Sequence, residues 1–350
     1  MLRTFRYILW KELLQLVRTP VLAGLLLLCP IVTVGLVPFG LGNFTLLRVE
    51  VVDLTPGGQG LEIVKCLGSS PHINCTVAES EQVAQKRLDD GKINAYITIS
   101  PDGTRINTVI DATHTILAWD ASYFIGKQLE GGIVRGKTES AISSHHLFSS
   151  GPDNTHYYIV TMIILLLAIM GCSFAGLSVF NEREGKVLEH LRSTGMSATT
   201  YIFSKITFFM MVGLLELVVA LIIAFAVFGF RIAGPLLDYF VLSACFLFVI
   251  INLGMMIVAF SKTLIQAIYV LVFLFIVLIL LGTMFAPIDN MDAGWAATRF
   301  VNPFFWAVDG SWTIALKGFG MAAIPFHYLA LLGIGGIMTA INIYKTGRVA

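Results

Sequence analysis

Several groups of residues carry the types and spacings from which a site could be built. Gly131 to Thr138, GGIVRGKT, matches the phosphate-binding pattern G-x-x-x-x-G-K-[ST] residue for residue. A loop of that kind needs a buried strand before it and an apolar helix after it. Here Ser122 to Glu130 reads as helical and Glu139 to His146 is polar, so the pattern stands in the wrong context. His145, His146, Asp153 and His156 are groups of the kind that ligate zinc, but a solvated helix beside a membrane accounts for them better, and no metal site is read here. No H-E-x-x-H occurs, and no Ser, His and Asp set can be argued into a triad, so no residue is a candidate for catalysis.

The remaining groups are charges set among apolar residues. Asn181 to Thr194, NEREGKVLEHLRST, is a charged segment between two long apolar runs, with Glu182, Arg183, Glu184, Lys186, Glu189 and Arg192 around the apolar pair Leu188 and Leu191. A short amphipathic helix of this composition can insert into a groove on a partner, with apolar anchors for affinity and charges for register. Glu216 stands alone in the middle of an apolar run, where a carboxylate costs about 2.5 kcal/mol or more and must face protein or water. It is a candidate for the lining of a substrate path, against the plainer reading of a packing residue between helices.

The elements that must position these groups are membrane helices. Of 350 residues, 56% are hydrophobic and 13% charged, about half the charge of an ordinary soluble domain. A helix needs about 20 apolar residues to cross the hydrocarbon core. Six runs qualify, at residues 21–42, 157–180, 206–230, 236–260, 264–286 and 321–345. The expected fold is therefore a mainly α-helical polytopic membrane protein with six transmembrane helices. No cleavage site follows the first run, so it reads as a span and not as a removable signal.

Six spans place both termini on one face. That face holds eleven basic residues, among them Arg3, Lys11, Arg18, Arg183, Lys205 and Lys345, while the short loops opposite hold only Arg231, Arg299 and Lys317. The positive-inside rule then puts both termini and the Asn181 segment in the cytoplasm. Residues 1–20 place Leu2, Phe5, Leu9, Leu13 and Leu16 on one helical stripe, which predicts a helix lying in the cytoplasmic interface. Residues 181–205 form the cytoplasmic loop between the second and third spans. Residues 287–320, with Trp295, Phe300, Phe304, Phe305, Trp306 and Trp312, read as a re-entrant or interfacial hairpin at headgroup level on the outer face.

Residues 43–156 form an inserted extracytoplasmic domain carrying nine basic and thirteen acidic residues. Its pattern is α+β. Alternation predicts half-buried strands at Arg48 to Leu54 and Ile93 to Ser100, and a further strand follows at Arg105 to Ile110 after the Pro101-Asp102-Gly103 turn. Gly60 to Leu67 and Ser80 to Leu88 read as helices, the second with Ser80 as N-cap, and a long helix is expected from about Thr115 to Ser143. Cys66 and Cys75 lie in this domain, in a compartment where disulfides persist, and are a candidate pair. Cys29, Cys172 and Cys245 lie within spans and read as small apolar residues.

Taken in order, these marks resemble the ABC type-2 exporter permeases, the membrane subunits of one branch of ATP-binding cassette transporters. Their loop between spans two and three typically reads E-R/K-E, a residue, G-T, a hydrophobe, E, a residue, L, and later K. Glu182-Arg183-Glu184-Gly185, Leu188-Glu189, Leu191 and Lys205 fit it. Lys11-Glu12 and Arg18-Thr19-Pro20 resemble the family's interfacial helix with its R-D-P mark. Thr263, Gln266 and Ala267 resemble the loop before span five, and Pro287, Met291, Asn302-Pro303 and Lys317-Gly318 resemble the outer hairpin. Lys186 stands where the family prefers Thr, Thr19 where it has Asp, and Thr194-Gly195 where it has Thr-Pro.

The resemblance implies a permease that dimerises with itself or a sister chain and binds ATPase subunits on separate chains. ATP and Mg would sit on those subunits, with no cofactor on this chain. It implies ATPase-coupling roles for Glu182, Arg183, Glu184, Gly185, Leu188, Glu189 and Leu191, with Lys11, Glu12 and Arg18 from the interfacial helix. Substrates of the family include drugs, lipids and other amphiphiles, and glycans, moved outward across the cell inner membrane. Expected partners are the ATPases, a second permease, membrane lipid and a periplasmic adaptor; nucleic acid is not among them. The alternative is a non-transporting scaffold or sensor whose inserted domain is a receptor.

Overall fold

The computed structural model describes residues 2–38, 47–53, 60–68, 73–90, 92–100, 106–110, 125–126, 155–187, 196–282 and 297–348. In chain order the elements are α1 (Leu2–Arg18), α2 (Pro20–Pro30) running into a π-helical turn (Ile31–Leu36), β1 (Leu47–Asp53), α3 (Gly60–Gly68), β2 (Ile73–Val77), α4 (Glu81–Asp89), β3 (Ala95–Ile99), β4 (Ile106–Ile110), α5 (Thr155–Glu184), α6 (Ala198–Phe228), α7 (Leu236–Phe260), α8 (Leu264–Leu280), α9 (Pro303–Ala315) and α10 (Pro325–Arg348). The chain divides into two units, residues 43–152 and the remainder.

Among the described residues, four helices are long and apolar enough to cross a membrane: α5, α6, α7 and α10. Two shorter apolar stretches, Gly24–Leu36 and Leu264–Leu280, stand where the first and fifth spans were expected. The first is not one regular helix. Pro30 lies inside it and Ile31–Leu36 widens to π geometry, since proline lacks the N–H that a regular turn requires. Thr19 separates α1 from α2, returning its hydroxyl to the Gln15 carbonyl at 2.7 Å, and Pro20 occupies the first turn of α2, where its missing N–H costs nothing.

Small residues set the tightest helix contact. A Cβ at Gly254 of α7 would run into the Cys172 carbonyl of α5, and one at Gly176 would meet the Gly254 carbonyl at 3.1 Å. The two helices thus touch backbone to backbone, as membrane helices do where dispersion replaces the hydrophobic effect. A polar clasp joins α7 to α10: Thr339 donates to Asn252 Oδ1 at 3.0 Å, and Asn342 Nδ2 donates to the Asn252 carbonyl at 2.9 Å.

The expected outer hairpin is described from residue 297 onward; residues 283–296, with Met291 and Trp295, lie outside the described residues. Its helix α9 packs against the neighbouring helices. Phe304 is fully buried, edge-on to Phe246 and Phe275, and Trp312 stacks on Tyr157 at 4.4 Å while donating to Thr161. The Asn302-Pro303 pair explains itself locally: Asn302 Oδ1 accepts from Phe304 N at 3.0 Å as an N-cap, and its Nδ2 donates to the Leu278 carbonyl at 2.8 Å. Gly318, at φ +79°, supplies the left-handed residue that ends α9.

In the 43–152 unit the sheet order is β2-β1-β3-β4, with β1 parallel to both neighbours and β4 antiparallel to β3. Ile63 and Leu67 of α3 pack on one face with Val49, Val51 and Ile97. Ala84 and Leu88 of α4 pack on the other with Val52 and Tyr96. Covered on both faces, β3 is buried at every position, as central parallel strands usually are, where alternation predicted a half-buried strand, while β1 keeps Arg48 exposed. Ser80 caps α4, accepting from Val83 N. Strand β2 escaped the sequence reading, and the expected Thr115 to Ser143 helix lies outside the described residues apart from 125–126.

Of the candidate pair, Cys66 lies on α3 and Cys75 is a half-buried position of β2 packed against the α3 face of the sheet. Burial raises both thiols above their ordinary value, Cys75 to about 11.

Candidate functional site

On α1 the buried positions are Ile8 and Glu12, Leu9 and Leu16 are partly buried against the helix core, and Arg6, Trp10 and Leu13 are exposed, so the helix gives the protein apolar side chains and one carboxylate together. What receives Glu12 is a set of charges from two other helices. Ser178 and Glu182 are four residues apart on α5, and Tyr201 and Lys205 are four apart on α6, so each pair shares a helix face.

Lys205 is wholly buried, and its three N–H groups each find an oxygen: Glu12 Oε1 at 2.7 Å, Ser178 Oγ at 2.6 Å and Glu182 Oε2 at 2.8 Å. Ser178 passes its own proton to Glu12 Oε2 at 2.9 Å, and Tyr201 donates to Glu182 Oε2 at 2.5 Å. Lys11 pairs with Glu182 Oε1 and lies 3.2 Å from Glu12. Two ammonium groups thus face two carboxylates, and the cluster is neutral as a whole. A cavity of about 30 Å³ beside Glu12 and Ser178 has room for one water.

The charges perturb one another as this geometry requires. Burial pushes the Glu12 carboxyl up, but Lys205, Lys11 and the Ser178 hydroxyl outweigh it and hold it below its ordinary value. Lys11 is drawn below its ordinary value by burial first and by Lys205 second, and Glu12 offsets this only in part. Such a cluster joins α1, α5 and α6 rigidly, because displacing any one of them would strand a charge in an apolar interior. Beside it, Arg183 Nη1 donates to the carbonyls of Val258 at 2.9 Å and Ser261 at 2.7 Å. It thereby satisfies the end of α7, where a cation also suits the helix dipole.

Of the residues singled out from sequence, Lys11, Glu12, Glu182 and Arg183 are brought together with their charges turned into the protein. The Asn181 segment begins as the last turn of α5, not as a separate helix. Glu184, Gly185 and Lys186 are exposed where α5 ends, and Lys186 takes the left-handed conformation, φ +53°. Leu188, Glu189 and Leu191 lie outside the described residues. Arg18 is exposed at the end of α1 and takes no part in the cluster. Ser178 and Tyr201 were missed, and Lys205 was read only as a family mark. The signal available was polar residues at four-residue spacing on two apolar helices.

Glu216 is 1% exposed and Oε1 makes no hydrogen bond among the described residues. The GGIVRGKT pattern, His145, His146 and Asp153 lie outside the described residues, which contain no cluster able to hold a metal.

Comparison with known proteins agrees with this architecture. Residues 22–344 match the model of a family described as ABC-2 family transporter protein. The chain is 22% identical over 366 aligned positions to the "Probable multidrug ABC transporter permease YbhS" of Escherichia coli strain K12, covering 99% of this chain and 97% of that protein. The protein of the same name from Escherichia coli O157:H7 matches equally. With its apolar helices and its whole length within this pattern, the chain belongs to the ABC-2 transporter family, as a membrane permease subunit.

Proposed function

We propose that the chain is the transmembrane subunit of an exporter driven by ATPase subunits on separate chains. It would have six spans, both termini in the cytoplasm, and residues 43–156 outside the cell inner membrane. The observation that carries the reading is the buried cluster of Lys11, Glu12, Ser178, Glu182, Tyr201 and Lys205. It locks α1 to the two helices that flank the Asn181 segment, so a push on that segment reaches α5, α6 and α1 as one body. In the mechanism, ATP closes the ATPases against this body. The substrate leaves outward because nucleotide and ligand bias one two-state equilibrium.

The exposed Glu184, Gly185 and Lys186 at the end of α5, together with Leu188, Glu189 and Leu191, form the ATPase-facing surface, whereas Glu12, Glu182 and Arg183 transmit from behind it. ATP and Mg belong to the partner. The substrate is a drug, lipid or other amphiphile, or a glycan, and the buried Glu216 carboxyl belongs to its path. A second permease chain completes the translocation route, and a periplasmic adaptor is a further partner.

Purification from the native host tests the reading. An ATPase should accompany the protein, and Glu184→Lys should reduce export at least tenfold without lowering the unfolding temperature. Failure to recover any ATPase, with export-independent signalling by the inserted domain, would favour a membrane scaffold or sensor instead.

A further inference from the structure

Next to the buried cluster, sharing Leu16 and Phe208 with the small cavity beside Glu12, a groove of about 930 Å³ opens between α1, α2 and α6. That is near the top of the roughly 300–1,000 Å³ range of small-molecule sites. Its floor is apolar, with Leu26 and Phe208 buried and Met211 and Leu215 exposed along α6. At the α1 side stand Trp10, 59% exposed, and Arg6.

The groove has the chemistry of a membrane lipid laid against it. Tryptophan settles at headgroup level, and Arg6 makes no ion pair among the described residues, unlike Lys11 one turn on, whose charge is taken up by Glu182 and Glu12. An unspent guanidinium beside an apolar trough suits a phosphate with acyl chains attached.

We propose that this groove holds one anionic phospholipid of the leaflet in which α1 lies, its phosphate at Arg6 and its chains along Phe208, Met211 and Leu215. The inference rests on α1 being the interfacial helix that its spacing predicts and on the cytoplasmic N-terminus of the proposed function. A lipid seated there would fill the space between α1 and α6 and stiffen the attachment that the buried cluster makes beside it.

Native mass spectrometry of the intact protein, purified in detergent and exposed to an equimolar mixture of phosphatidylglycerol and phosphatidylcholine, tests it. One lipid should remain per chain, with phosphatidylglycerol preferred about fivefold. Arg6→Ala should abolish the preference while leaving a lipid bound. Met211→Trp and Leu215→Trp, each filling the trough, should cut retained lipid at least fivefold, with unchanged unfolding temperature as the control for folding. The proposal is overturned if no lipid is retained, if both tryptophan variants keep it, or if cross-linking places a second copy of the chain in the groove. None of these outcomes bears on whether an ATPase co-purifies, so the two readings fail separately.

Discussion

Lys205 is the residue on which the coupling cluster turns. Its ammonium is shared by Glu12, Ser178 and Glu182, and Lys11 cannot serve both carboxylates alone. Lys205→Met should therefore cost about 3–5 kcal/mol, the usual penalty for breaking a buried pair from one side, read as a large fall in unfolding temperature. Adding Glu12→Met should recover part of the loss, since coupled residues are non-additive. Acid should act through Glu12 in a defined direction. Its folded carboxyl titrates below the ordinary 4.5, so its contribution is complete above that pH and disappears as pH falls through the depressed value. Unfolding temperature should hold constant from neutral pH to about 5 in wild type and fall below that, with a smaller acid-dependent fall in Glu12→Gln. The charges themselves were legible in the sequence. Their pairing was not, because Lys11, Ser178 and Lys205 are far apart in the chain and only the packing of three helices brings them within hydrogen-bond reach.

At the scale of elements, the helix contacts were set by what is small as much as by what is apolar. Hydropathy located the apolar runs that become α5, α6, α7 and α10, the four described helices long and apolar enough to cross a membrane. It said nothing of which faces meet. Gly254 lets α7 lie against the Cys172 carbonyl, and Gly254→Val should force the helices apart at a cost of about 1–3 kcal/mol, whereas Gly24→Ala, at a position with open space around it, should be neutral. Differential scanning fluorimetry in detergent separates the two. Spacing marked the apolar stripe of α1 but did not show that Glu12 is buried beside Ile8, because the groups that receive it come from α5 and α6. Strand β2 was missed although Ile73, Cys75 and Val77 alternate with Asn74 and Thr76, because a five-residue edge strand leaves a short signal beside the helices that flank it.

At the scale of the molecule, α8 turns most of its surface away from its own chain. Only Ala267 and Phe275 are buried on it, while Ile265, Tyr269, Phe273 and Ile276 are exposed along one face. A second permease chain is the partner such a face calls for under the proposed function. Tyr269→Ala with Phe273→Ala should shift the detergent-purified protein from dimer to monomer by size-exclusion chromatography with light scattering. An unchanged dimer would place the interface elsewhere.

The sequence by itself determined that the chain is a membrane protein with an inserted domain, where its apolar runs lie, and that its ordered marks are those of an ABC-2 permease. These are properties of composition and local spacing, and they survive without any knowledge of packing. Only the tertiary structure decided that Glu12 and Glu182 face inward onto Lys205, that the first apolar run bends through a π turn after Pro30, and that the charged segment starts as the end of α5. Burial of a charge depends on its partners, and those partners come from elements distant in the chain that meet only when the helices pack.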